Sequence, residues 1–235
     1  MKYILFNYGE IFDHLEVSLN SIMSVDKNAE IILITDKNLN LPSIELVNIT
    51  DSKELSEIKE RLIDLYNSTN YSPQKFPVFY TSLLRVFAIT QIAKEKNINE
   101  FVHFDNDVII YKSFEEIVKN YEFDYKSLNI TQNKPSEVVF GYSFFPTLEI
   151  SDRISNEIFR ILDNNKYYSN QYRFGNELYE MLILGILNKE KENLISILPS
   201  LPYEKKLSLL FDPSSYGQYL DGLHLRRGNY IFKRI

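Results

Sequence analysis

The segment Glu30–Asp36, EIILITD, constrains the fold more than any other part of the chain. It is a continuous apolar run closed by polar residues. A strand covered on only one face alternates apolar and polar residues, whereas a strand buried on both faces reads as an unbroken apolar run. That is the signature of a parallel strand flanked by helices. Lys2–Asn7 and Ile44–Ile49 read as further strands. Between the first two strands, Ile11, Leu15, Leu19, Ile22 and Met23 repeat at helical spacing. Asp51 or Ser52 is placed to cap a helix from Lys53 to about Tyr66. A longer helix is expected over Phe76–Lys96, starting after Pro77. Phe101–Phe104 reads as a strand, an Asp-Asn-Asp turn follows, and Val108–Tyr111 reads as another strand. Ser113 with Glu116 forms a capping-box pattern for a helix to about Tyr121. Strands are expected at Ser127–Thr131, Val138–Phe145 and Ile195–Leu198, and helices at about Glu149–Asn164 and Asn176–Glu190. The tail from Pro202 to Ile235 is expected to be irregular and folded over a site. This order predicts one α/β domain over residues 1–235, built on a mainly parallel sheet.

Composition removes several functions from consideration. The net charge is -6, so no general nucleic-acid surface is implied. There is no cysteine, which excludes disulfides, zinc–thiolate sites and thiol nucleophiles and suits a cytoplasmic protein. No run approaches the roughly 20 apolar residues of a membrane span, and the N-terminal apolar run is too short for a signal peptide. The 7 glycines are too scattered for a phosphate-cradling loop. If the chain binds a nucleotide, another device must hold the phosphates.

HFDNDVIIY (residues 103–111) offers one. Asp105 and Asp107 lie one residue apart between two apolar runs. Asp and Asn are at home in any polar turn, and that reading stays open. But ligands of open α/β sheets gather at the carboxyl ends of strands, and two adjacent carboxylates repel unless a cation lies between them. Hard oxygen donors suit Mg²⁺ or Mn²⁺, which often take one or two carboxylates together with phosphate oxygens and water. Arg85 lies in LLRVFAI, the most apolar part of the preceding helix. It is either a snorkelling arginine with its head in water or a clamp on the same anionic site.

The stretch from Arg85 onward, RVFAITQIAKEKNINEFVHFDNDVIIYKSFEEI, resembles the centre of GT-A glycosyltransferases, nearest the family 8 (glycogenin and galactosyltransferase) type. HLEVSLNSI followed by EIILITD is similar to that family's first helix and second strand. VVFGYSFFP stands where the family has its acceptor strand. The resemblance covers roughly residues 3 to 160. The family's C-terminal HxxGxxKPW is absent; FDPSSYGQYLDGLHLRRG stands there and resembles a segment of other GT-A-like enzymes of glycan biosynthesis.

The resemblance implies a hexosyltransferase-like enzyme that moves a sugar from a nucleotide-diphosphate sugar, UDP- or GDP-linked, to a glycan or lipid-linked hydroxyl acceptor. It implies Mn²⁺ or Mg²⁺ as cofactor. Asp107 would be a metal ligand, Asp105 a metal or ribose ligand, and Asn106 a neighbour of the donor sugar. Arg85 would contact the donor sugar or diphosphate. Asn7, Tyr8 and Asp36 are the candidates for base and ribose contacts. The third metal ligand is expected from His224, with Gln218 and Asp212 as competitors, and Gln218 is also a donor-site candidate. Arg226, Arg227 and Lys233 suit an outer phosphate or a solvated tail. If the reaction inverts stereochemistry it needs a general base, and Glu177 and Glu180, three apart on one helix face, are the candidates. Two alternatives stand beside this. FVHFDNDVII also matches the hhhhDxDxV signature of haloacid dehalogenase-type phosphatases, in which Asp105 would be the nucleophile and Asp107 the acid/base. A non-catalytic scaffold that binds nucleotide sugar or glycan is the other.

Overall fold

A computed structural model of the protein describes residues 1–67, 77–134, 136–172, 179–199, 209 and 211. Their strands join one seven-stranded sheet. In chain order the strands are β1 (Lys2–Asn7), β2 (Glu30–Thr35), β3 (Glu45–Asn48), β4 (Phe101–His103), β5 (Leu128–Lys134), β6 (Glu137–Phe145) and β7 (Ile195–Ile197). Across the sheet the order is β3-β2-β1-β4-β6-β5-β7. β6 is antiparallel to both of its neighbours, and the other pairings are parallel. The expected mainly parallel α/β sheet is therefore the observed one.

The helices are α1 (Asp13–Val25), α2 (Lys53–Asn67), α3 (Pro77–Glu95), α4 (Phe114–Val118), α5 (Leu148–Asp163), α6 (Asn165–Tyr172) and α7 (Glu180–Glu190). Side chains alternate between the two faces of a strand, and β1 and β2 show how this makes two cores. Ile4, Phe6, Ile32 and Ile34 enter the core with α2, α3, α5 and α7. Tyr3, Leu5, Ile31 and Leu33 enter the opposite core with α1 and α4. Both faces are covered, which is why EIILITD has no polar alternation. Among the described residues, no helix is long and apolar enough to cross a membrane.

Several helix starts follow the sequence signals. The Ser52 hydroxyl accepts from Leu55 N at 3.2 Å. The capping box is complete: Ser113 Oγ accepts from Glu116 N at 3.2 Å, and Glu116 Oε2 accepts from Ser113 N at 3.1 Å.

Two elements depart from the sequence pattern. Val108–Tyr111 is not a strand: it runs beside α1, where Ile110 N donates to Ser21 Oγ at 3.1 Å. The helix α6 was not anticipated. The helix expected over Asn176–Glu190 is described from Glu180 on, and residues 173–178 lie outside the described residues. So does the tail from Pro202, apart from Leu209 and Phe211. Phe211 is buried among Tyr121, Phe123 and Tyr142.

The connectivity creates the place where a site belongs. From β1 the chain moves outward to β2 and β3, then returns to lay β4 on the other side of β1. β1 and β4 therefore flank the point where strand order reverses, and ligands of open α/β sheets bind outside the carboxyl ends of strands at such a point. The register Asn7↔Thr35↔Asn48 lines up a polar row along that edge. The Asp-Asn-Asp turn leaves β4 at the same edge.

Candidate active site

The turn is tied down by its backbone and by Asn106. Asp105 N donates to Phe140 O at 3.1 Å, and Val108 N donates to Asp105 O at 3.0 Å. Asn106 Nδ2 donates to Asn7 Oδ1 at 2.8 Å, joining the turn to the end of β1. Asn7 is buried, and its own amide donates to Glu10 O at 3.4 Å. The Asn7 and Asn106 side chains thus pair with each other. Asn7, a candidate for base and ribose contacts, braces the turn against β1.

The two aspartates part company. Asp105 pairs with Arg85 Nη1 of α3. Arg85 Nη2 meets Glu180 Oε2 of α7 at 2.6 Å. The Arg85 side chain is 14% exposed and that of Glu180 only 2%. The guanidinium also lies 5.3 Å from the ring centroid of Phe140 on β6, within the range of a cation–π contact. Arg85 is therefore not a snorkelling residue: it is largely enclosed and held between two carboxylates, as a guanidinium drawn toward the interior requires. Asp107 is exposed and makes no hydrogen bond or ion pair among the described residues.

Glu180 occupies a different environment from the one expected of a general base. Burial pushes its carboxyl up, and the Arg85 charge pulls it back only in part. A base must reach the acceptor hydroxyl, but the Glu180 carboxylate is enclosed and engaged by Arg85. Glu177, Gln218 and His224 lie outside the described residues, as do Asp212, Arg226, Arg227 and Lys233.

His103 joins the site from behind, and the sequence reading did not single it out. It is fully buried on β4, with Nδ1 2.6 Å from Ile4 O. A carbonyl only accepts, so Nδ1 carries the proton and Nε2 is a bare acceptor. Burial first, then the neighbouring Arg85 charge, push its pKa down to about 3. His103 is therefore a neutral wedge behind the turn. The available signal was a histidine inside an apolar strand just before two aspartates.

On the other side of the β1 end, Gly9 adopts a left-handed φ of 92°, a conformation cheap only for glycine. Its N–H donates to Asp36 Oδ1 at 2.9 Å. Burial alone would raise the Asp36 carboxyl, but the Gly9 N–H and Lys37 together hold it below its usual value. Asp36 thus fastens the β1–α1 loop to the end of β2. Beside this loop lies a cavity of about 600 Å³ lined by Tyr8, Phe12, Ile63, Val78 and Tyr80, with Lys59 at 5.4 Å from the Tyr8 ring centroid.

No group of three or more His, Asp or Glu side chains converges among the described residues. The donors that are present still fit a hard divalent cation in kind. Asp105 and Asp107 offer carboxylate oxygens from one turn, and Mg²⁺ commonly needs only one or two carboxylates beside substrate phosphate and water. Asp107 is the uncommitted one of the pair.

No family profile and no curated protein matches the sequence. Among solved structures, mouse xyloside xylosyltransferase 1 in its apo form aligns with 85% of this chain and 86% of its own, with a TM-score of 0.56 and 12% identity. The galactosyltransferase LgtC, in complex with donor and acceptor sugar analogs, aligns with 79% of this chain and 70% of its own, with a TM-score of 0.47 and 12% identity. The first of these likenesses, together with the seven-stranded mainly parallel sheet flanked by helices, shows that the chain has the GT-A glycosyltransferase fold.

Proposed function

We propose that the protein is a metal-dependent glycosyltransferase that moves a sugar from a nucleotide-diphosphate sugar to a hydroxyl acceptor. The observation that carries this reading is a convergence on one point. The Asp-Asn-Asp turn, Arg85 and the β1–α1 loop meet where strand order reverses in a GT-A fold. Asp105 and Asp107 would hold Mn²⁺ or Mg²⁺, with His224, Gln218 or Asp212 completing the set. When bound, the metal would neutralise the charge of the departing diphosphate.

The remaining work falls to the chain. The cavity beside Tyr8 suits a flat aromatic base: it is mostly apolar, and Tyr8 offers a ring for stacking. Lys59 and Glu10 also line it and supply its charged groups. Arg85, fixed beside Asp105, keeps positive charge next to the position of the donor. Among the acceptors, a glycan or a lipid-linked sugar suits the family resemblance. The donor nucleotide is UDP or GDP on the same ground. The glycosyltransferases among the solved structures lend no support to a phosphatase. In addition, the aspartate that would serve as its nucleophile, Asp105, is paired to Arg85.

The test is hydrolysis or transfer across a panel of UDP- and GDP-sugars with Mn²⁺, with and without EDTA. Metal-dependent release of nucleoside diphosphate from one donor is expected. Phosphomonoester turnover without any sugar-nucleotide turnover would sink the proposal. Tight binding of a sugar nucleotide with no turnover on any acceptor would favour the scaffold.

A further inference from the structure

We propose that Glu180 is a positioning residue: its buried carboxylate fixes the Arg85 guanidinium, and Arg85 in turn fixes Asp105, so that the first aspartate of the turn is held in one orientation. The inference rests on the glycosyl-transfer reading for its consequence, but not for its geometry.

Burying a carboxylate at 2% exposure is costly unless it is paired. Glu180 is paired, at 2.6 Å, with a residue 95 positions away in sequence. The frame around it is rigid. α7 approaches the β5–β6 turn so closely that a Cβ at Gly185 would run into the Ser136 carbonyl, so α7 is seated by contact at that point. Tyr179, the residue just before α7, donates to Glu137 at 2.6 Å. The guanidinium it holds is fixed from three directions: Glu180 from α7, the Phe140 ring from β6, and Asp105 from the turn.

The charges explain why the third member matters. Alone, Arg85 would cancel Asp105 and leave a divalent cation only Asp107. With Glu180 held as a carboxylate by Arg85, the trio carries one net negative charge, and with Asp107 two, which matches a divalent cation. Glu180 thus lets Arg85 orient Asp105 without neutralising the site. Outer-shell partners of this kind typically change metal affinity or activity by roughly 10–100-fold when removed.

The experiment compares Glu180→Gln and Glu180→Asp with the wild type by two readouts. The first is donor turnover with Mn²⁺. Glu180→Gln is expected to lower kcat by roughly 10–100-fold and to raise the donor KM less, while Glu180→Asp, which keeps the charge, recovers part of the loss. The second does not depend on activity. In ¹⁵N NMR of the guanidinium groups, the Arg85 signals, assigned by their loss in Arg85→Lys, should show restricted rotation in the wild type and faster rotation in Glu180→Gln. A wild type that turns over no sugar nucleotide refutes the transfer reading, and the NMR arm still decides the positioning. Unchanged Arg85 signals and unchanged kcat in Glu180→Gln overturn the positioning role. Should Glu180→Gln fail to fold, a wild-type Arg85 that rotates as freely as the exposed Arg153 overturns it equally.

Discussion

Two arginines in this fold each hold two glutamate or aspartate side chains, and they do so under opposite conditions. Arg85 lies in the interior at the strand-order reversal, between Asp105 and Glu180. Arg160 of α5 lies on the far flank, where its Nε meets Glu157 at 2.6 Å and its Nη2 meets Glu190 at 3.3 Å, with Tyr168 on its remaining amino group and Lys191 on Glu157 at 2.9 Å. Arg160 is 37% exposed and closes α5, α6 and α7 over one another. The far cluster has more partners and more water. Among the described residues, the near cluster has fewer partners, no second cation to spare, and an exposed aspartate two residues away. Equal ionic chemistry therefore marks a clasp in one place and a candidate reaction site in the other; depth and neighbours make the difference.

The largest effect should come from breaking the buried cluster at its centre. Arg85→Ala leaves Glu180 buried without its partner, a change that typically costs about 3–5 kcal/mol. Denaturant unfolding should show a clear loss of midpoint, and donor turnover should fall with it. A variant as stable as the wild type would mean that water reaches Glu180 freely and that the buried cluster is no different from the outer one.

Asp107→Ala separates function from stability at the same site. The side chain is exposed and unpaired among the described residues, so its removal should change stability by no more than about 0.5 kcal/mol. If it ligates the metal, turnover should drop by at least about 100-fold. Full, still metal-dependent turnover in this variant would move the metal site away from the turn.

The contrast between the clusters also tracks what the sequence could reveal. β1 and β2 were legible because an apolar run buried on both faces is a local property. The capping box was legible because its partners are three residues apart. Val108–Tyr111 was misread for the same reason: a short apolar run looks alike in a strand and in a loop laid on a helix, and here Ile110 is buried while Ile109 and Tyr111 face out. α6, NKYYSNQY, carries no apolar period; Tyr168 and Tyr172 instead reach Glu190 of α7 through their hydroxyls. At the site, the Asp-Asn-Asp turn and Arg85 stood out as charges inside apolar runs. The role of Glu180 did not, because its partner comes from α3 and only the packing of α7 brings the two together.

Arg160→Ala should have a smaller effect than Arg85→Ala. Its ion pairs are partly exposed, and such pairs are worth about 0–1 kcal/mol each. A shift of a few degrees in Tm is expected for a chain of this size, with donor turnover unchanged. Lost turnover with an intact fold would show that the far cluster communicates with the site, and the division between clasp and reaction site would fail.

The smallest expected signal is a slope, and its sign distinguishes the clusters most sharply. Burial raises the Glu180 carboxyl in the folded protein. A raised carboxyl favours the protonated folded state, so its contribution to stability is lost as pH rises from the ordinary carboxylate range toward the folded value. Glu157 is the reverse. Burial pushes it up, but Lys191 and Arg160 more than compensate and hold it below its usual value. Its contribution is present above the ordinary carboxylate range and disappears as pH falls through the folded value. Chemical denaturation of Glu180→Gln and Glu157→Gln at a series of pH values should therefore diverge. Relative to the wild type, Glu180→Gln should gain stability as pH rises through the carboxylate range, while Glu157→Gln should lose it. Parallel slopes would mean that both glutamates are equally hydrated, and the depth that separates the two arginine clusters would lose its energetic meaning.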